Sequence, residues 1–378
     1  MVNLEWISIN HLMIYWSSME VLKKLSKEYS LFLSILTFVG IGYFEHQLSS
    51  STIGNLVGLG ILFVVIIYSA MSVAHHAEML AEKFGEPYGT LILTMSAVIV
   101  EIVIIVIMMM HAHNPNLARD TIYSAIMLDI NGLLGVAAII GGLKYGEQPY
   151  NVDSSNSYLS MLLVAIGIAM VLPEFLSVEY HMRFMMFNVV VFILLYIIFT
   201  RVQLMSHRYF FEYKNSDECE DEKCHDTHSI NAWYHSFILV ISIVAIGVLA
   251  EMLSLFMNHT LEHFGMPLAI GAVMVAVISA APELITAIRA AVDNRMQTVI
   301  NIALGASLAT VLLTIPAVIV VSYLMGMELN LSLTPIQTMM ISLTLLVSIV
   351  NFNDGETNVL EGFLHFILFV VFCFLLFV

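Results

Sequence analysis

The chain has 378 residues, of which 60% are hydrophobic and 11% charged, and its mean hydropathy is +0.91. A soluble body of this size needs far more polar surface, so the composition predicts an all-α polytopic membrane protein embedded in a lipid bilayer. The formal net charge of −16 disfavours nucleic acid as a ligand. Three cysteines give no disulfide framework, and the N-terminal residues lack the pattern of a removable signal peptide.

Apolar runs of about 17–25 residues, bounded by charge, Gly or Pro, predict about eleven transmembrane helices. The predicted spans are 30–46, 52–74, 89–112, 120–142, 157–174, 183–203, 233–257, 267–290, 296–324, 333–352 and 360–378. Residues 1–29 mix Trp6 and Trp16 with lysines. This mixture fits an interfacial helix on the membrane surface, and a loosely ordered segment is the alternative.

The basic residues predict the orientation of these spans, because Lys and Arg accumulate in cytoplasmic loops. With the N-terminus cytoplasmic, eleven of the thirteen basic residues lie inside, and only Arg119 and Arg183 lie outside. The eleven are Lys23, Lys24, Lys27, Lys83, Lys144, Arg201, Arg208, Lys214, Lys223, Arg289 and Arg295. We therefore expect a multi-pass protein of the plasma or inner membrane with its C-terminus outside.

A four-residue frame, Phe-Gly-x-Pro, occurs at residues 84–87 and again at residues 264–267, an offset of 180 residues. Because each copy belongs to a set of five predicted spans, the two sets cross the membrane in opposite directions. The sequence thus predicts residues 1–51 as an N-terminal segment with one extra helix, 52–205 and 233–378 as two inverted five-helix repeats, and 206–232 as an acidic cytoplasmic loop.

Each frame is followed by an apolar run that contains one glutamate, Glu101 in the first repeat and Glu283 in the second. A carboxylate at mid-bilayer depth costs about 2.5–3.5 kcal/mol on insertion scales and marks an ion or proton path by default. Pro282, next to Glu283, is expected to free backbone carbonyls at the same depth. Carboxylate and carbonyl oxygens together suit Ca²⁺, Na⁺ or a proton relay.

Few other polar residues lie inside the predicted spans, and we weigh each against a structural alternative. Serine and threonine in membrane helices usually bond their own backbone carbonyls, and Glu near a helix end often faces headgroups and water. The candidates for the cation site beside the two glutamates are Asp129, Asn131, Ser279 and Ser307, and those for a proton path or gate are Glu78, Glu251 and Asn301.

The loop between the sixth and seventh spans is strongly acidic and also holds thiol and imidazole groups. One interpretation is a metal-responsive gate with Zn²⁺ ligands, although their crowding is unlike the usual paired spacing. The alternatives are loose attraction of Ca²⁺ by the acids, which we favour over zinc, and a solvated, disordered linker. The residues concerned are Asp217, Glu218, Cys219, Glu220, Asp221, Glu222, Cys224, His225 and His228.

Several segments beyond residue 70 form a set of motifs. In the first predicted repeat they are 85–89 (Gly-Glu-Pro-Tyr-Gly) with 96–101 (Ser-Ala-Val-Ile-Val-Glu), 119–124 (Arg-Asp-Thr-Ile-Tyr-Ser) and 141–148 (Gly-Gly-Leu-Lys-Tyr-Gly-Glu-Gln). In the second they are 279–283 (Ser-Ala-Ala-Pro-Glu) with 305–307 (Gly-Ala-Ser), and 354–362 (Asp-Gly-Glu-Thr-Asn-Val-Leu-Glu-Gly). Together they resemble the signature repeats of bacterial calcium or sodium/proton antiporters of the cation/Ca²⁺ exchanger superfamily. The resemblance implies eleven helices and cation binding by Glu101 and Glu283, with Ser307 at a small hydroxyl position.

The chain departs from the pattern of that superfamily around the first glutamate. Ile99-Val100 and Met127-Leu128 stand where many members have Gly-Asn and Gly-Ser pairs, so Asp129 and Asn131 are expected to replace the lost oxygens. The resulting hypothesis is a secondary active antiporter that exchanges cytoplasmic Ca²⁺ for external protons, without a cofactor. The alternatives are a Na⁺(K⁺)/H⁺ antiporter and, less favoured, a cation channel.

An enzyme is not expected. An intramembrane metalloprotease needs a His-Glu-x-x-His pair, and His75-His76-Ala77-Glu78 lacks the second histidine at that spacing. The expected partners are therefore inorganic cations, protons and lipid, and the sequence leaves homo-oligomerisation open.

Overall fold

The computed structural model describes residues 28–85, 88–112, 114–203 and 230–377, and these residues form eleven helices and one two-stranded sheet. The helices are α1 (Tyr29–Ser49), α2 (Thr52–Phe84), α3 (Tyr88–Ala112), α4 (Leu117–Tyr145), α5 (Val152–Phe175), α6 (Val178–Arg201), α7 (Ala232–Phe264), α8 (Ala269–Val292), α9 (Met296–Met325), α10 (Pro335–Asn351) and α11 (Val359–Leu375). Nine are long and apolar enough to cross a membrane, and α10 and α11 are shorter apolar helices of 17 residues each. The all-α polytopic fold class is confirmed.

Helices α2 and α7 are longer than their predicted spans, at 33 residues each. Both continue beyond the apolar run and end at the glycine of the Phe-Gly-x-Pro frame, where Gly85 and Gly265 take positive φ angles of 63° and 60°. Glycine ends a helix in this way because it has no Cβ to oppose a positive φ. Gly146 after α4 and Gly326 after α9 are again 180 residues apart and have φ angles of 85° and 66°.

Three helices contain a wide π-helical turn: α4 at Leu128–Leu133, α5 at Gly167–Val171 and α9 at Thr310–Thr314. Such turns are rare and often lie at functional sites. Helix α8, by contrast, continues through Pro282 without a break. A proline has no N–H to donate, so the carbonyl of Ile278, four residues earlier, loses its usual helical donor. The wide turns of α4 and α9 are further interruptions of regular backbone bonding, which the sequence analysis did not predict.

The loops at one end of the helices are tied to each other. Strand β1 (Glu147–Pro149), after α4, pairs antiparallel with β2 (Glu356–Asn358), before α11. Nearby, the Lys144 Nζ and Tyr145 Oη atoms donate to the Val292 carbonyl at 2.8 and 2.6 Å. We call this end the inner face, because it carries the loops that are predicted to be cytoplasmic.

The opposite end, which we call the outer face, has its own contacts between loops. The Asn330 Nδ2 atom donates to Asn116 Oδ1 at 3.0 Å, and the Arg119 Nη1 atom donates to the Ser332 carbonyl at 3.1 Å. These contacts join the α3–α4 and α9–α10 loops, which are predicted to lie on the same side. Residues 1–27 of the predicted interfacial segment and residues 206–229 of the predicted acidic loop lie outside the described residues.

Candidate cation site

A cavity of about 560 Å³ lies among helices α2, α3, α4, α5, α6, α8 and α9. Its mouth is at the inner face, where Glu78 and Thr286 are exposed. Its buried polar lining residues include Glu101, Asp129 and Thr310, which are 4%, 2% and 5% exposed. A water molecule takes about 30 Å³ in the liquid, so the volume is enough for a hydrated path from the inner face to the buried acids.

Beyond the acids, towards the outer face, the helices pack without lining the cavity. The apolar side chains in this layer are at most 1% exposed: Ile104, Ile105 and Met108 on α3, Ile122 and Ile126 on α4, Val275 and Ile278 on α8, and Leu312 and Ile315 on α9. Close-packed apolar side chains exclude water and ions. Among the described residues, the acids are therefore open to the inner face and closed to the outer one.

Glu101 lies deep in the cavity wall and accepts two hydrogen bonds from α9. The Thr310 and Thr314 Oγ1 atoms both donate to Glu101 Oε2, at 3.0 and 2.7 Å. The other carboxylate oxygen, Oε1, is buried and has no hydrogen-bond partner in the described part of the chain. One oxygen of Glu101 is thus held by hydroxyl groups, and the other is unpartnered.

Asp129 has a similar arrangement and belongs to the wide turn of α4. The Ser307 Oγ atom of α9 donates to Asp129 Oδ2 at 3.2 Å, whereas Oδ1 is buried without a partner among the described residues. A buried carboxylate oxygen without a donor is costly. The unpartnered oxygens of Asp129 and Glu101 could each be satisfied by a cation or a proton.

Glu283 differs from both. It lines the same cavity but is only partly buried, and no side-chain hydrogen bond to it is found in the described segments. The Ser279 Oγ atom, one turn before it, donates to the Ala276 carbonyl of its own helix at 3.1 Å. The charges of Glu101, Asp129 and Glu283 are close enough to interact. Three ionised carboxylates in one buried cavity repel one another unless a cation or protons offset the charge.

The remaining predicted residues fall into two groups. Ser279, Glu78 and Asn301 line the cavity, and Ser307 reaches it through its bond to Asp129. Glu251 lies elsewhere, with its Oε1 atom 3.5 Å from the Nε2 atom of His111 and its side chain 58% exposed. The structure therefore does not bring Glu251 into the path as expected.

Asn131 also lies away from the cavity. Its Nδ2 atom donates to the Thr344 Oγ1 atom of α10 at 2.8 Å, and its Oδ1 atom accepts from the His365 Nδ1 atom of α11 at 3.1 Å. Residues two apart on a helix lie about 200° apart around its axis, so Asn131 faces a different side of α4 from Asp129. The expectation that Asn131 replaces a lost site oxygen is not met in this structure.

The structure adds one residue that the sequence reasoning did not select, Thr314. It is fully buried and makes the shorter of the two bonds to Glu101. Its position four residues after Thr310, on the same helical face, was the available signal.

No three His, Cys, Asp or Glu side chains of the described residues meet closely enough to hold a metal ion by themselves. Hydroxyl groups, carbonyls or water must therefore complete the coordination of any cation in the cavity. The proposed ligands of the acidic loop, from Asp217 to His228, lie outside the described residues.

The described residues form eleven apolar helices, seven of which line a buried, acidic cavity, and these are the features of an integral membrane transporter for cations. The family described as "Sodium/calcium exchanger protein" matches residues 54–205 and 234–378. The chain belongs to this family, and the resemblance to the cation/Ca²⁺ exchanger superfamily is confirmed.

Two curated relatives and one solved structure show the extent of the similarity. The sodium-potassium/proton antiporter ChaA of Escherichia coli (strain K12) is 30% identical over 363 residues, which cover 94% of this chain and 98% of that protein. The putative ionic transporter y4hA of Sinorhizobium fredii (strain NBRC 101917 / NGR234) is 34% identical over 304 residues, covering 79% and 82%. The structure of native YfkE shares the fold, with a TM-score of 0.73 at 20% identity over 92% of this chain and 99% of that one.

Proposed function

We propose that the chain is a secondary active antiporter that exchanges cytoplasmic Ca²⁺ for external protons at Glu101, Asp129 and Glu283. The observation that carries the proposal is a cavity lined by three interacting carboxylates that, among the described residues, opens to the inner face and is closed by buried apolar side chains towards the outer one. A transporter in one half of an alternating-access cycle has this shape, whereas an open channel needs a continuous path.

Competition between cation and proton provides the coupling. Burial disfavours an isolated carboxylate, and either a bound proton or a nearby cation relieves that cost. Glu101 Oε1 and Asp129 Oδ1 are buried carboxylate oxygens of the cavity residues that have no donor among the described residues. Glu283 is less buried than Glu101 and Asp129, so protons and cations that enter from the inner face reach it most easily. If the cavity closes at the inner face and opens at the outer one, this competition becomes exchange.

Ca²⁺ is our first choice of cargo because three carboxylates provide a high density of anionic oxygens. Ca²⁺ takes six to eight oxygen ligands in flexible geometry, so hydroxyl groups and water can complete the shell. Na⁺ or K⁺ is the second candidate, and the similarity to the E. coli sodium-potassium/proton antiporter over 94% of the chain favours it.

We further propose that residues 52–205 and 233–378 are the two inverted halves that move against each other. The 180-residue offset of the frames and of the glycines after α4 and α9 supports this division. So does the gap in the family match between residues 205 and 234, at the acidic loop. The cytoplasmic N-terminus stays a prediction from the basic residues.

Inverted membrane vesicles with an imposed proton gradient test the proposed exchange. Addition of Ca²⁺ should collapse the gradient in vesicles with the wild-type protein, and Na⁺ or K⁺ doing so instead would select the second candidate. Glu101→Gln and Glu283→Gln should each reduce the response to background while the protein remains inserted. Glu251→Gln is the matched control, because that acid lies outside the cavity. The proposal fails if none of the three cations collapses the gradient, or if both cavity variants remain active.

A further inference from the structure

We propose that Thr310 and Thr314 are specificity-determining residues of this exchanger. Both hydroxyl groups donate to Oε2 of Glu101 and so reserve that oxygen, which leaves Oε1 as the one oxygen that Glu101 offers to a cation. This inference rests on the proposed binding of the cation at Glu101.

The direction of the two hydroxyl groups is unusual. A threonine inside a membrane helix commonly donates to the carbonyl four residues earlier. Thr121 and Thr260 do so here, each at 2.8 Å from its own-helix carbonyl. Thr310 and Thr314 instead reach across to α3 from the wide turn of α9. A hydroxyl group has one proton to donate, so each of these bonds uses the full donor capacity of its threonine.

The second acid has no equivalent restraint. At the 180-residue offset of the glycines that end α4 and α9, the residues before Thr310 and Thr314 are Ile130 and Leu134, which are fully buried and have no side-chain donor. Glu283 accepts no side-chain hydrogen bond among the described residues and keeps both oxygens available to the cavity. The two repeats thus present one carboxylate limited to a single free oxygen and one without that limit.

The restraint bears directly on the choice of cation. A carboxylate binds Ca²⁺ either through one oxygen or through both, and two-oxygen binding helps to fill its large coordination shell. With Oε2 held by two hydroxyl groups, Glu101 is restricted to binding through Oε1. Thr310 and Thr314 therefore lower the preference for Ca²⁺ over monovalent cations, and their removal frees the second oxygen.

The test is the double variant Thr310→Val, Thr314→Val, which keeps the side-chain shape and removes both donors. Purified wild-type and variant proteins are titrated with Ca²⁺ and with Na⁺ at one pH, and the unfolding temperature is measured at each concentration. The midpoint for a cation is the concentration that gives half of the maximal rise in unfolding temperature. We expect the Ca²⁺ midpoint of the variant to fall relative to its Na⁺ midpoint on the order of ten-fold. Thr314→Ser, which keeps its donor, should behave like the wild type.

Thr121→Val is the matched control, because it removes a buried hydroxyl group that bonds only its own helix. The inference is overturned if the ratio of the Ca²⁺ midpoint to the Na⁺ midpoint in the double variant stays within about two-fold of the wild-type ratio. It is also overturned if Thr121→Val changes this ratio as much as the double variant does. If the double variant does not assemble, Thr310→Val and Thr314→Val are titrated separately, and an unchanged ratio in both overturns it. Failure of the proposed function is distinct: it appears as Glu101→Gln and Glu283→Gln proteins that still exchange.

Discussion

Glu101 and Glu283 are the same residue type on corresponding helices, α3 and α8, yet their surroundings differ. Glu101 is 4% exposed and has one oxygen bonded by two threonine hydroxyl groups. Glu283 is more exposed to the cavity and accepts no side-chain bond within the described residues. The helix that follows in each repeat explains the difference: α9 contributes hydroxyl groups to the site, whereas α4 contributes the carboxylate of Asp129.

If residues 52–205 and 233–378 are the two inverted halves, as we propose, the repeat does not keep the chemistry of the site symmetric. Helix α9 provides Ser307, Thr310 and Thr314, and these three side chains bond the acids of the other half, Asp129 and Glu101. The first half therefore holds two hydrogen-bonded acids, and the second half holds one acid together with the hydroxyl groups. Motion of one half against the other would change these bonds directly, which links the conformation of the protein to the state of its acids.

The strongest test of this asymmetry is Asp129→Asn. A unit charge about 4 Å from a cation contributes about 4 kcal/mol at an effective dielectric constant of 20. We therefore expect Ca²⁺ affinity to fall on the order of 10²- to 10³-fold, measured by the midpoint of cation-dependent thermal stabilisation. Without cation, the variant should unfold at a higher temperature than the wild type, because one of three repelling charges is gone. An affinity within about three-fold of the wild type would show that α4 does not contribute a ligand.

A second test compares how readily the two positions are reached from the inner face. In a variant without native cysteines, Glu283→Cys and Glu101→Cys are each treated with a charged thiol reagent from the inner side. The cysteine at position 283 should react at least about ten-fold faster, because position 101 lies deeper and is covered by α9. Reagent added from the outer side should label neither on the same timescale. Equal rates at both positions would remove the distinction between a deep and an accessible acid.

The sequence was sufficient to predict the eleven helices, because each apolar run has the length of a bilayer crossing. It also indicated Glu101 and Glu283, since isolated acids inside such runs are rare. Apolar run length and the presence of an isolated acid are local properties, which depend on a few neighbouring residues. The ends of α2 and α7 were not predicted, because both helices continue past the apolar runs to the Phe-Gly frame.

The parts that escaped prediction depend on contacts between distant residues. The wide turns of α4 and α9 have no marker in their sequences. Asp129 lines the cavity, whereas Asn131, two residues later and on a different side of the helix, bonds α10 and α11. Pro282, the expected source of freed carbonyls, lies inside a continuous helix.

The smallest expected effect on cation binding is that of Asn131→Leu. The amide of Asn131 bonds Thr344 and His365, and His365 is 1% exposed and stacks on Phe352 with 5.5 Å between ring centroids. Loss of the amide leaves these buried groups without their partner, which costs about 1–3 kcal/mol of stability. The variant should therefore unfold at a lower temperature while its Ca²⁺ midpoint stays within about two-fold of the wild type. Thr344→Val should lower the unfolding temperature less than additively when combined with Asn131→Leu, because both variants break the same bond. A large loss of affinity with unchanged stability would instead return Asn131 to the cation site and make the environments of the two halves more alike than the structure indicates.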